Sequence, residues 1–305
     1  MERVMVEFYL QNEYWFAVFQ LVMAMFGMGA TLTVKDFQEV VTEPKAVTIG
    51  NCVQLLLVPV IAFVFIQVAG LAGGVAIGVA IIAAIPGGTS SNMFTFFAGG
   101  NVALSISVTA ITTLACLVST PLILDAMISQ YMPADFQLPR GQIMSEIIWT
   151  LLLPLALGML ALRYLPKQAP AIARYSINAS LLGILAIVVM SSLAGRLDID
   201  AFGWHNVLLI TLLLVTMTVV AWVGCRLFGL NAKDSTAIEM EVAVRNVNLG
   251  LLINTLLFPT VMGEVDSAGN LVLFTLLLYG GIQLLMGGGL IAYRRITAST
   301  PKTIS

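Results

Sequence analysis

Histidine occurs once in this chain, at His205, and cysteine three times, at Cys52, Cys116 and Cys225, each alone in an apolar run. No Cys-x-x-Cys or Cys/His spacing is present. A zinc or haem site is therefore not expected, and the cysteines read as small apolar packing residues. Charge is scarce too. Charged residues make up 10% of the chain, against about 25% in an average soluble domain, too few to cover a water-facing surface. The 14 basic and 16 acidic residues leave a net charge of −2, which offers no basic face to nucleic acid. What the chain has instead is apolar: 59% hydrophobic residues and a mean hydropathy of +0.98. Most of its surroundings must be lipid.

A helix crossing a bilayer needs about 20 apolar residues. Nine stretches meet that need, at about 13–33, 45–69, 71–97, 101–129, 142–165, 172–195, 203–229, 233–258 and 269–293. The expected fold is thus an all-α polytopic membrane protein. Gln130 to Gln142, the longest polar connection, reads as a midpoint linker. The start, Met1 to Asn12, is mixed and acidic, without the basic-then-apolar layout of a cleaved signal peptide. Lys35, Lys45, Arg163, Lys167, Arg174, Arg226, Lys233, Arg294, Arg295 and Lys302 fall on one side, and Arg3, Arg140 and Arg196 on the other. That bias predicts the amino terminus outside and the carboxyl terminus in the cytoplasm; the expected location is the inner membrane of the cell. His205 sits beside Trp204 near a span end and reads as interfacial.

Two spans are abnormal. The third is broken by "PGGTSSN", Pro86 to Asn92, and the eighth carries Glu239, Glu241, Arg245, Asn246 and Asn248. Pro86 removes a backbone donor, while Gly87 and Gly88 let the helix unwind. Unpaired backbone is tolerated at membrane depth only when buried in protein or facing a wet cavity. A plain kink would explain Pro86 but not the run Thr89, Ser90, Ser91, Asn92. Hydroxyl and amide oxygens suit a hard cation, and a helix start after a break suits an anion.

The breaks fall at corresponding places in two oppositely oriented halves, residues 1–141 with four spans and 142–305 with five. That is the pattern of an inverted repeat, with the binding site where the breaks meet. A carboxylate at mid-bilayer is costly and functional by default. On an unbroken helix Glu241 and Arg245, four apart, would pair. Glu239, two residues from Glu241, is a second pathway residue, a partner for Arg245 after unwinding, or an interfacial charge. The breaks hold no nucleophile with its base, no paired aspartates and no metal motif, which argues against an intramembrane enzyme.

"PGGTSSN", followed by "GNVALSISVT" (Gly100 to Thr109) and "EVAVRN" (Glu241 to Asn246), with the earlier "MFGMGATLT" (Met25 to Thr33), resembles the bile acid:sodium symporter family. The likeness covers about residues 20 to 293. It implies panel and core domains, two discontinuous helices that cross, and the nine-helix form of a fold that some members build with ten. It implies a sodium symporter of small organic anions, bile acids or other carboxylates, working as a monomer by alternating access with Na+ as co-ion and no organic cofactor. The first sodium site would use Ser91, Asn92, Ser105, Thr109 and Glu241. The second would use Gln54, Glu241 and carbonyls of Val242 and Val244, and it expects glutamine where this chain has Arg245. A guanidinium has donors only and cannot ligate Na+, so that site is either lost or filled by a tethered cation. Thr89, Ser90 and Asn246 are the expected substrate contacts. Proton coupling through Glu241 or Glu239 is the alternative, and replacing sodium by choline at fixed pH would separate the two.

Overall fold

The computed structural model describes residues 2–35, 44–88, 90–260 and 266–299, with side chains from 3 to 295 within those ranges. Among the described residues every regular element is a helix: α1 (Glu2–Gly29), α2 (Pro44–Ala69), α3 (Gly73–Ala84), α4 (Ser91–Phe97), α5 (Val102–Ile128), α6 (Arg140–Tyr164), α7 (Ala169–Leu193), α8 (Trp204–Leu227), α9 (Ala232–Ala243), α10 (Val247–Leu257) and α11 (Ser267–Ser299), with short helical turns between some of them. Among the described residues six helices are long and apolar enough to cross a membrane: α2, α5 with the turn to Tyr131, α6, α7, α8 and α11 to Arg295. They coincide with six of the nine expected spans. The expected span at 13–33 falls largely within α1. Those at 71–97 and 233–258 each fall on two shorter helices, α3 with α4 and α9 with α10. The chain is a multi-pass membrane protein.

Prolines shape two of the long helices. Pro59 and Pro154 lack the N–H that an α-helix would use, and each follows a wider π-type turn, Val53–Leu57 in α2 and Ile147–Leu152 in α6. In those turns Val58 N–H reaches back five residues to Val53 O, and Leu153 N–H to Ile148 O. The backbone thus stays paired next to a residue that cannot donate. The turn in α2 carries Gln54, which is buried.

Helices in lipid approach closely only where side chains are small. α1 packs along α6 and α7. At its crossing with α6, a Cβ on Gly29 would sit 2.1 Å from Leu155 O, and one on Gly158 2.3 Å from Phe26 O. Backbone cannot yield there. Gly158→Leu should destabilise the purified protein by the ~1–3 kcal/mol or more of a strongly overpacked core, and so lower its melting temperature. An unchanged melting curve would mean that this contact contributes nothing. α3 lies against α11 in the same way: a Cβ on Gly74 would meet Ala268 O at 2.3 Å.

At one end of the bundle a polar cluster ties these units together. Glu13 of α1 pairs with Arg196, just beyond α7, at 2.7 Å and accepts from Thr260 Oγ1 at 2.5 Å. Arg196 Nε donates to Asn270 Oδ1 of α11 at 2.6 Å. Nearby, the Tyr9 hydroxyl lies 2.8 Å from Ser191 Oγ of α7.

Candidate functional site

The chain leaves α3 in an extended conformation at Ile85 and leaves α9 in one at Val244. The two segments meet as an isolated antiparallel bridge at Gly87 and Arg245. Gly88 N donates to Val244 O at 2.7 Å, and Asn246 N donates to Pro86 O at 2.9 Å. These are the backbone groups that the breaks would otherwise leave unpaired. Neither Gly87 nor Gly88 has a positive φ. They are needed for space rather than for conformational freedom: a Cβ on Gly87 would lie 2.2 Å from Glu241 Oε2, and one on Gly88 2.8 Å from Arg245 O.

The first set of expected ligands converges. Glu241, near the end of α9, is completely buried. Its Oε1 accepts from Ser91 Oγ of α4 at 2.5 Å and from Ser105 Oγ of α5 at 2.6 Å. Its Oε2 accepts from Thr109 Oγ1 at 2.7 Å. Asn92 Oδ1 lies 2.8 Å from Ser105 Oγ and 3.4 Å from Thr109 Oγ1. Each hydroxyl owns one proton, so Ser105 donates either to Glu241 or to Asn92. Oxygens therefore outnumber the protons between them, and a small hard cation among them would use the spare lone pairs. Among the described residues no group of three or more His, Cys, Asp or Glu comes together, and this oxygen set suits an alkali cation rather than zinc or copper.

Arg245 does not form the ion pair with Glu241 that an unbroken helix would have allowed. α9 ends at Ala243, so the spacing of four no longer puts the two on one face. The guanidinium turns instead to the carboxyl end of α3. Its Nε and Nη2 reach Ile82 O and Ala83 O, each at 3.2 Å, Nη2 also donates to Ile85 O, and Nη1 donates to Gln54 Oε1. Ala84 O, the remaining carbonyl there, accepts from Thr120 Oγ1 at 2.8 Å. Val244, expected to ligate through its carbonyl, gives that atom to Gly88 N–H. Val242 is buried and helical. Of the three readings of Glu239, partnership with Arg245 is overturned: both carboxylate oxygens lie 2.7 Å from Arg294 Nη2 of α11.

Asn246 caps α10, its Oδ1 accepting from Leu249 N at 3.3 Å. With Ser90 it borders a cavity of about 480 Å³ between α7, the bridge of Gly87 with Arg245, and α11. Thr89 lies outside the described residues. Two glutamines outside the expected set also bond to this region. Gln283 of α11 accepts from Arg245 N at 2.8 Å and donates to Arg245 O at 3.3 Å. Gln20 of α1 donates to Asn248 O at 3.0 Å. Both are glutamines alone in apolar spans, and an amide at membrane depth was the signal that could have found them.

The model of the Sodium Bile acid symporter family matches residues 18–199. An uncharacterized sodium-dependent transporter of Bacillus subtilis is 31% identical over 80% of this chain and 74% of its own length. A protein of Arabidopsis thaliana chloroplasts, named a probable sodium/metabolite cotransporter, is 28% identical over 84% of this chain and 63% of its own length. A sodium-dependent organic anion transporter of Bos taurus is 29% identical over 74% and 59%. The chain thus spans about three-fifths of the length of the plant and bovine relatives. With the family model covering more than half of its residues, the chain belongs to the Sodium Bile acid symporter family, a family of transporters and not of enzymes.

Proposed function

We propose that this protein is a sodium-coupled symporter of small organic anions. The observation that carries the reading is the oxygen cluster around Glu241, assembled from α4, α5 and α9 with more oxygens than protons. Its relatives include sodium-dependent transporters, one of them of organic anions. The anion would lie in the 480 Å³ cavity, against Ser90, Asn246 and the amino-terminal end of α10, where backbone N–H groups favour negative charge. Thr89 completes the set of proposed contacts.

In this reading α3 with α4, and α9 with α10, are two discontinuous crossing helices. Residues 1–141 and 142–305 are inverted repeats, and nine crossings leave the amino terminus outside and the carboxyl terminus in the cytoplasm of an inner membrane. Alternating access moves α1, α6 and α7, the panel, against the remaining core. The cluster of Glu13, Arg196, Thr260 and Asn270 spans that boundary and would part when its end opens.

Uptake of a panel of labelled carboxylates into proteoliposomes, with sodium replaced by choline at fixed pH, tests the reading. Sodium should drive uptake of at least one anion. Ser105→Ala and Thr109→Val, each removing one neutral oxygen, should raise the sodium concentration for half-maximal uptake by about 3- to 10-fold, as the loss of one ordinary polar interaction does. Uptake driven equally well by protons in choline would replace sodium coupling with proton coupling.

A further inference from the structure

Arg245 is 2% exposed, and among the described residues it has no ion-pair partner within 4.0 Å. A buried guanidinium without an adjacent carboxylate is unusual and normally costly. Here its hydrogen bonds all go to neutral oxygens: three backbone carbonyls at the carboxyl end of α3 and the amide oxygen of Gln54. Those carbonyls sit at the negative end of a helix, converge from one side, and have Glu241 near them across Gly87. A cluster of this kind is what a bare cation wants. The free space left beside the guanidinium is about 10 Å³, room for no more than a single water.

We infer that Arg245 is a resident cation occupying a second cation site, and that the protein therefore binds and carries one Na+ per cycle, at the Glu241 cluster. The inference rests on the sodium-coupled reading above and deepens it. Without the guanidinium, the carbonyls of Ile82, Ala83 and Ile85 and the oxygen of Gln54 would surround a vacated space. A side chain bringing an acceptor rather than five donors would then admit a second Na+. The consequence for driving force is large. One Na+ moving with a monovalent anion carries no net charge, so accumulation is limited to the sodium gradient itself. At a tenfold gradient and a typical inside-negative potential, a second Na+ would raise that limit by about 500-fold.

The test counts bound Na+ on the full-length detergent-purified protein by equilibrium binding of radioactive Na+ alone, so no substrate need be known. The wild type should bind one Na+ per chain. Arg245→Lys, which keeps a tethered charge, should also bind one, and Arg245→Gln should bind two. In proteoliposomes, Arg245→Gln should turn an electroneutral uptake of a monovalent carboxylate into one stimulated by an inside-negative potential. A purely structural arginine, merely closing the end of α3, would change stability and not the count. Two Na+ per wild-type chain would overturn the inference whether or not Arg245→Gln folds, and so would a folded Arg245→Gln that still binds one. No Na+ bound by the wild type, or undiminished binding in Glu241→Ala, would overturn the sodium-coupled reading itself.

Discussion

Glu241→Ala should abolish sodium-driven uptake while the protein still inserts and folds. Glu241 supplies both carboxylate oxygens of the candidate site and takes bonds from Ser91, Ser105 and Thr109. Removing one member of a buried charge pair costs about 3–5 kcal/mol, and a bound Na+ with this carboxylate is such a pair. The loss in sodium affinity should therefore be at least about 100-fold. Insertion becomes easier, since a carboxylate at helix centre costs about 2.5–3.5 kcal/mol on biological scales. Glu241→Gln serves as the folded control: it keeps the volume and one acceptor oxygen but not the charge, and it should transport as poorly as the alanine variant. Initial uptake rates against sodium concentration check both, with melting curves to confirm folding. Near-normal sodium dependence in either variant would remove Glu241 from the site.

The second large effect is expected at the glycines of the crossing. Gly88→Ala would press a methyl group to 2.8 Å from the carbonyl oxygen of Arg245, which belongs to backbone held by Gln283 and by Val247 N–H. The chain must separate there, and overpacking of this kind costs ~1–3 kcal/mol. Gly87→Ala acts on chemistry instead, because its methyl would stand 2.2 Å from Glu241 Oε2 and drive the carboxylate away from Thr109. Leucine at either position should be worse. Both alanine variants should transport below about a tenth of the wild-type rate, since a loss of 1.4 kcal/mol already gives that factor. Gly88→Ala should also melt earlier. Wild-type rates in both would mean that transport does not need the close crossing.

Much of this was legible in the amino-acid sequence because lipid simplifies the rules. Apolar length located six helices to within a few residues of Pro44–Ala69, Val102–Tyr131, Arg140–Tyr164, Ala169–Leu193, Trp204–Leu227 and Ser267–Arg295. Polar residues within apolar runs made Ser91, Asn92 and Glu241 stand out, whereas Ser105 and Thr109 could be named, and the five joined in one site, only through the resemblance to the symporter family. The direction of Arg245 could not. Spacing along a helix predicts a neighbour only while the helix continues, and the chain leaves the helix at Val244. Nothing local says that three carbonyls some 160 residues away will face that side chain. Gln54 depends in the same way on the wide turn before Pro59, which shifts the facing of α2.

Pro86, Gly88, Val244, Arg245 and Asn246 all find protein partners for backbone groups that two helix ends would otherwise leave to water. In the transport cycle proposed above, that self-sufficiency bears on turnover. When the site changes the side of the membrane it faces, these amides and carbonyls have no hydration shell to shed on one side and rebuild on the other. Dehydration is then confined to the travelling ion and its companion anion. The barrier between the two orientations should depend on how completely the cargo covers its own charge, and little on the exposed backbone of a broken helix.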